Sequence, residues 1–247
     1  SNNKVFKTGY DKQAFQFICN NSETYELARF LFSDFPVYHY AQDTTSYDFH
    51  IVDSKSTLSL RYEEKLLYSG TSRYLLCYTL MNEVLYHCII NDADNHALHA
   101  GAVCNKTTCI ILPGKSRKGK SSLTAWLISR GYYYLTDELV FLNREGVVFP
   151  VTRPVSLKVD SKGIRQLFPK LSCNEVISGD EGSMIPHRLL NPDFETRQPE
   201  LTHIVFPSFQ DNSEIEFKQI SPAQSTLYLI QCHVNARNLP EHGISEL

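Results

Sequence analysis

Polar and apolar positions along this chain change period several times, and each change predicts an element. "SETYELARFLFSDF" (22–35) puts Leu27, Phe30 and Leu31 on one helical face behind Ser22, a capping residue, so the spacing predicts a helix. "YDFHIV" (47–52) and "TLSLRY" (57–62) alternate with period two and predict strands joined by the polar turn "DSKS". "LLYSGTS" then gives way to a long apolar helix over roughly 72–90, carrying Leu75, Leu76, Leu80, Val84, Leu85 and Cys88. The polar break "NDADN" (91–95) follows. We place a boundary there, between an N-terminal α/β portion, 1–95, and a C-terminal domain, 96–247.

In the second part, "LHAGAVC" (98–104) and "TCIIL" (108–112) predict neighbouring buried strands. A helix follows in "SSLTAWLISR" (121–130), ended by Gly131. "YYYLTDELVFL" (132–142) is β-rich, "NREG" turns the chain, "VVFP" returns it, and "VSLKV" (155–159) is another strand. A helix is expected over 160–168. Irregular chain is expected over 170–200, with "SGDEGS" as a mobile loop. "THIVF" (202–206) and "EIEFKQI" (214–220) predict strands. "SPAQSTLYLIQ" (221–231) opens a helix with Ser at N-cap, Pro at N1 and Gln at N3, a capping box. Strands mixed with helices, some joined as hairpins, make the fold class α/β with a mixed sheet.

Composition narrows the function classes. At 247 residues, with 42% hydrophobic and 21% charged positions, the chain has enough apolar material for a core, which argues against disorder. A net charge of -3 argues against a nucleic-acid partner. No apolar run reaches the roughly 20 residues of a membrane span, and no secretory leader is visible. Seven cysteines without a CxxC pair suit a reducing compartment, so a cytoplasmic location away from membranes is expected. Cys104 and Cys109 read as buried small hydrophobes on neighbouring strands.

Chemistry enters at Gly114-Lys115-Ser116-Arg117-Lys118-Gly119-Lys120-Ser121, which fits GxxxxGK[ST] between an apolar strand and a helix. In that setting the loop amides and the helix N-terminus converge on one point and make an anion site. Lys120 would lie against the β- and γ-phosphates, Ser121 would offer its hydroxyl to Mg²⁺, and Ser122 completes the first turn. The other reading is a solvated basic turn, which leaves the placement of Lys120 and Ser121 at the helix start unexplained. Arg117 stands where many such loops carry glycine, and a positive φ there would strain it by roughly 1 kcal/mol or more.

Asp137 and Glu138 follow Lys120 by 17 and 18 residues. That length accommodates a helix, a turn at Gly131 and a short return strand, so a right-handed crossover brings both acids to the loop's edge of the sheet. His99 lies at the start of the first strand of this part. "RPVSLK" follows the acids and offers Arg153 and Lys158 as candidates to reach substrate or phosphate.

Taken together, "LHAGAV", "CIILPGKSRKGKSSLTAWLISRGYYYLTDELVFL" and "RPVSLK" resemble the HPr serine kinase/phosphorylase family. The likeness is closest to its diverged HPr-kinase-related members found with peptide-modification gene clusters, including those making lasso peptides. It covers residues 96–160 well and 200–230 loosely. The resemblance implies a P-loop core like that of phosphoenolpyruvate carboxykinase, ATP and Mg²⁺ as cofactors, and phosphorylation of a serine hydroxyl in a peptide or small protein. It further implies Asp137 as general base, Glu138 and Asp137 as metal ligands with the division of labour between them open, His99 beside the transferred phosphoryl group, and a homo-oligomer. Glu138 departs from the family's usual Asp. The family's downstream glycine-rich signature and its N-terminal domain are both missing from this sequence, so HPr itself is not the expected acceptor. Two rival readings stay open: a small-molecule kinase acting, for example, on free serine, and a nucleotide-binding regulatory module without phosphotransfer.

Overall fold

A computed structural model describes residues 3–35, 44–90, 92–158, 175–194, 197–210 and 212–246. The chain forms two compact units. The first runs to Cys88 and takes in the described residues of 152–158 and 175–186; the second holds 89–151 and the described residues from 187 onward.

In the first unit, β1 (Lys4–Tyr10), β2 (Gln13–Cys19), β3 (Thr45–Ser54), β4 (Thr57–Tyr62) and β5 (Lys65–Gly70) form a sheet in sequential order. Pairing is antiparallel except β2 with β3, which run parallel. Helix α1 (Ser22–Phe32) supplies the crossover between them. Its cap is Asn21, not Ser22: the Asn21 side chain accepts from Thr24 N–H while the Thr24 hydroxyl reaches back. Phe32 stacks on Phe17 at 4.5 Å, closing an aromatic core that also holds Phe15, Phe49 and Tyr47. Helix α2 (Arg73–Ile90) buries Leu76, Leu80, Met81 and Val84, as its apolar run predicts. Strands β1, β2 and β5 were not expected.

In the chain order of the whole protein, β6 to β10 lie in the second unit: β6 (His96–Cys104), β7 (Cys109–Pro113), β8 (Tyr133–Thr136), β9 (Leu139–Leu142) and β10 (Val148–Pro150). Three more strands return to the first unit: β11 (Val155–Lys158), β12 (Ile177–Gly179) and β13 (Gly182–Ile185) form an antiparallel sheet in the order β11-β13-β12. "SGDEGS", expected as a mobile loop, is therefore the tight end of a hairpin. Helix 160–168 lies outside the described residues.

The second unit's sheet has the order β10-β9-β6-β7-β14, with β14 (His203–Ile204) parallel to β7 and the other pairs antiparallel. The mixed sheet agrees with the sequence reading. β8 and β9 pair with successive parts of the same edge of β6, so 133–142 is one antiparallel partner interrupted at Asp137-Glu138. Cys104 and Cys109 face each other in register as buried thiols. Helix α3 (Lys120–Ser129) lies over β6, where a Cβ on Gly101 would come within 2.4 Å of Thr124 Oγ1; only glycine permits this approach. Helix α4 (Pro222–Ile230) has the expected capping box between Ser221 and Gln224. "EIEFKQI" is not a strand: among the described residues it pairs with nothing, and Ile215 and Phe217 are exposed.

Candidate functional site

β6 organises the site. Ala100 faces Pro113, the last residue of β7, on one side, and donates its N–H to the Glu138 carbonyl (3.1 Å) on the other. The start of the glycine loop and the acidic pair therefore flank a single residue, about two strand spacings or ~10 Å apart across the sheet. Because β7 and β8 are each antiparallel to β6, they run parallel, and both lead out at the same edge. This is the crossover the spacing from Lys120 to Asp137 predicts.

The loop links β7 directly to α3. Lys115, Ser116, Arg117 and Lys118 are exposed, and Ser121 and Ser122 are half-buried in the first helical turn. Gly119 is the N-cap, at φ 87, and offers no side chain to the helix. Arg117 has φ 67, so the strained alternative is the one the chain adopts. Among the described residues, the N–H groups of Lys115, Arg117, Lys118 and Gly119 donate to no backbone carbonyl. Loop amides left open in this way, next to a helix N-terminus, suit an anion. Lys120 is 6% exposed, and its ammonium donates to the carbonyls of Gly114 (2.6 Å) and Lys115 (3.0 Å), so it is folded back against the loop.

The two acids have different surroundings. Asp137 is fully buried, with Oδ1 accepting from the Tyr134 hydroxyl at 3.0 Å; the Tyr134 ring lies against His187. The Glu138 side chain is 42% exposed, and its Oε1 lies 3.2 Å from His99 Nε2. Three candidates chosen from sequence (His99, Glu138 and the glycine loop) thus sit around Ala100. Arg153 and Lys158 belong to the first unit. Arg153 is buried and acts electrostatically on Tyr74, while Lys158 is exposed at the end of β11.

One residue here is not signalled by sequence. β7 ends opposite Ala100, and residues 232–234 take its place along β6: His99 N–H donates to the Cys232 carbonyl (2.8 Å) and Val234 N–H to the Ala97 carbonyl (2.9 Å). Burial pushes the Cys232 thiol above its ordinary value, while Lys120, the Gly114 backbone and Lys115 pull it back. Cys232 is thus held next to β6 by its carbonyl, which accepts from His99 N–H. An isolated cysteine after a helix carries no motif that would have found it.

Among the described residues, no cluster of three or more His, Cys, Asp or Glu side chains could hold a metal by itself. Among the described residues, no helix is long and apolar enough to cross a membrane. Compared with protein-family models, curated proteins and solved structures, the chain matches none.

Proposed function

We propose that the chain is a Mg²⁺- and ATP-dependent kinase acting on a serine hydroxyl of a peptide or small protein. The observation that carries this reading is the flanking of Ala100 by the end of β7 and by Glu138, which brings an anion-binding loop and a carboxylate pair to one sheet edge. A solvated basic turn would account for neither the buried Lys120 nor the acids.

In this reading the loop amides and Lys120 hold the β- and γ-phosphates. Ser121 and Glu138 would hold Mg²⁺, which would supply charge neutralisation at the phosphates. His99 fixes the Glu138 carboxylate. The serine oxygen forms a bond to the γ-phosphorus as the bond to the β–γ bridging oxygen breaks. The hydroxyl proton passes to Asp137, and ADP leaves. Catalysis then rests on positioning and charge neutralisation.

A second reading is favoured by one observation: Asp137 is shut away from solvent and already accepts from Tyr134. That arrangement suits a nucleotide-binding module without transfer. Calorimetric titration with Mg-ATP tests what both readings share. Wild type binds and Lys120→Met loses at least about tenfold in affinity; equal binding, or none by wild type, removes the nucleotide site.

A further inference from the structure

We propose that Phe209 is the platform on which the base of the bound nucleotide stacks; this rests on reading the glycine loop as a nucleotide site. β14 runs parallel to β7, and the chain beyond it stays with its neighbour: Val205 N–H donates to the Ile111 carbonyl at 3.0 Å. It then passes the loop itself, where Phe209 N–H donates to the Lys118 carbonyl at 3.3 Å. The approach is close enough that a Cβ on Gly119 would stand 3.2 Å from the Phe209 Cβ. Phe209 is thus tethered by its backbone to Lys118 and approaches Gly119, the residue before Lys120.

Phe209 is nevertheless 66% exposed. A phenylalanine left largely in solvent gives up most of the stabilisation its burial would supply. Here that exposed residue stands beside the glycine loop. A nucleotide with its phosphates on the loop amides carries its base away from them. A flat base covers an aromatic face whatever its hydrogen-bonding edge, so this platform is tolerant of base identity. Neither Lys115 nor Lys118 can substitute for it, since a lysine meets phosphates and not a base face.

Full-length wild type, Phe209→Ala and Phe209→Trp are titrated with Mg-ATP, Mg-GTP and Mg-tripolyphosphate, the last having no base. Phe209→Ala should weaken ATP and GTP alike by about tenfold to a hundredfold. Tripolyphosphate affinity stays unchanged, and Phe209→Trp retains tight nucleotide binding. The platform is overturned if Phe209→Ala binds ATP as tightly as wild type. It is also overturned if ATP and tripolyphosphate fall by the same factor, since Phe209 would then only shape the loop, or if the variant alters only the KM of a peptide acceptor. Wild type binding tripolyphosphate, with ATP no tighter, removes the platform and leaves the loop; binding neither removes the nucleotide reading and the platform with it.

Discussion

His99 Nε2 lies 3.2 Å from Glu138 Oε1, beside Ala100, the β6 residue that faces the end of β7. A histidine in a strand needs no function. One that holds the half-exposed acid of a carboxylate pair acts through that acid. Glu138→Gln and His99→Ala should each lower phosphotransfer by about 10²–10³, the size of loss seen when one group stabilising transition-state charge is removed. Because they act as a unit, the double variant should be scarcely worse than either single one. Steady-state kinetics on the four proteins decide this, and strictly multiplicative losses would separate the two residues.

Arg117 occupies left-handed backbone at φ 67. Arg117→Gly relieves that conformation but loosens the unfolded chain, for a net gain of about 0.5–1 kcal/mol. A rise in the urea midpoint at constant m would register it. A fall would mean that the Arg117 side chain holds the loop.

Gly101 and Thr124 are in contact across β6 and α3. Gly101→Ala forces a methyl toward an oxygen 2.4 Å away and should cost about 1–3 kcal/mol. The Thr124 hydroxyl is buried without a hydrogen-bond partner, so Thr124→Ala should cost little, and it should rescue Gly101→Ala. Additive costs in a thermal denaturation cycle would show that the helix shifts instead.

His87 sits among Tyr47, Phe49, Tyr62 and Tyr86, with both ring nitrogens buried and unpartnered. Burial lowers its pKa from the model-compound value of 6.5, against the opposite pull of Glu83 and Glu63. The unfolded chain therefore binds the proton more readily. The contribution to stability is complete above about pH 6.5 and is lost as pH falls. His233, lowered by burial and by His96, acts with the same sign. Urea midpoints should drop between pH 7.5 and 5.5, and His87→Phe should shrink that drop. An unchanged pH profile would mean His87 is not held neutral.

The glycine loop and its acids were legible because each depends on local order: an apolar strand, a loop of fixed length, a helix, a return strand. The arrival of the acids at the loop's edge of the sheet was legible too, since the connection holds one helix and one return strand. Other parts depended on partners distant in sequence. In "QAFQFIC" the polar Gln13 lies on the buried face, so alternation fails as a strand signal there. "EIEFKQI" has the alternation but no neighbour, because a period of two gives the capacity to pair and not the partner. Cys232 is held next to β6 only through backbone pairing. The hydrogen bond that Asp137 accepts in its buried place, which bears on its role, comes from Tyr134, whose ring lies against the sequence-distant His187.

The central claim is phosphoryl transfer, and its most direct measurement is the appearance of phosphoserine. Wild type and Asp137→Asn are incubated with γ-labelled ATP, Mg²⁺, a library of serine-containing peptides and free serine. Wild type should give a labelled peptide, and Asp137→Asn should lose at least about 10²-fold in transfer with ATP still bound. Tight ATP binding by wild type with no labelled acceptor, or equal transfer by both proteins, would contradict it.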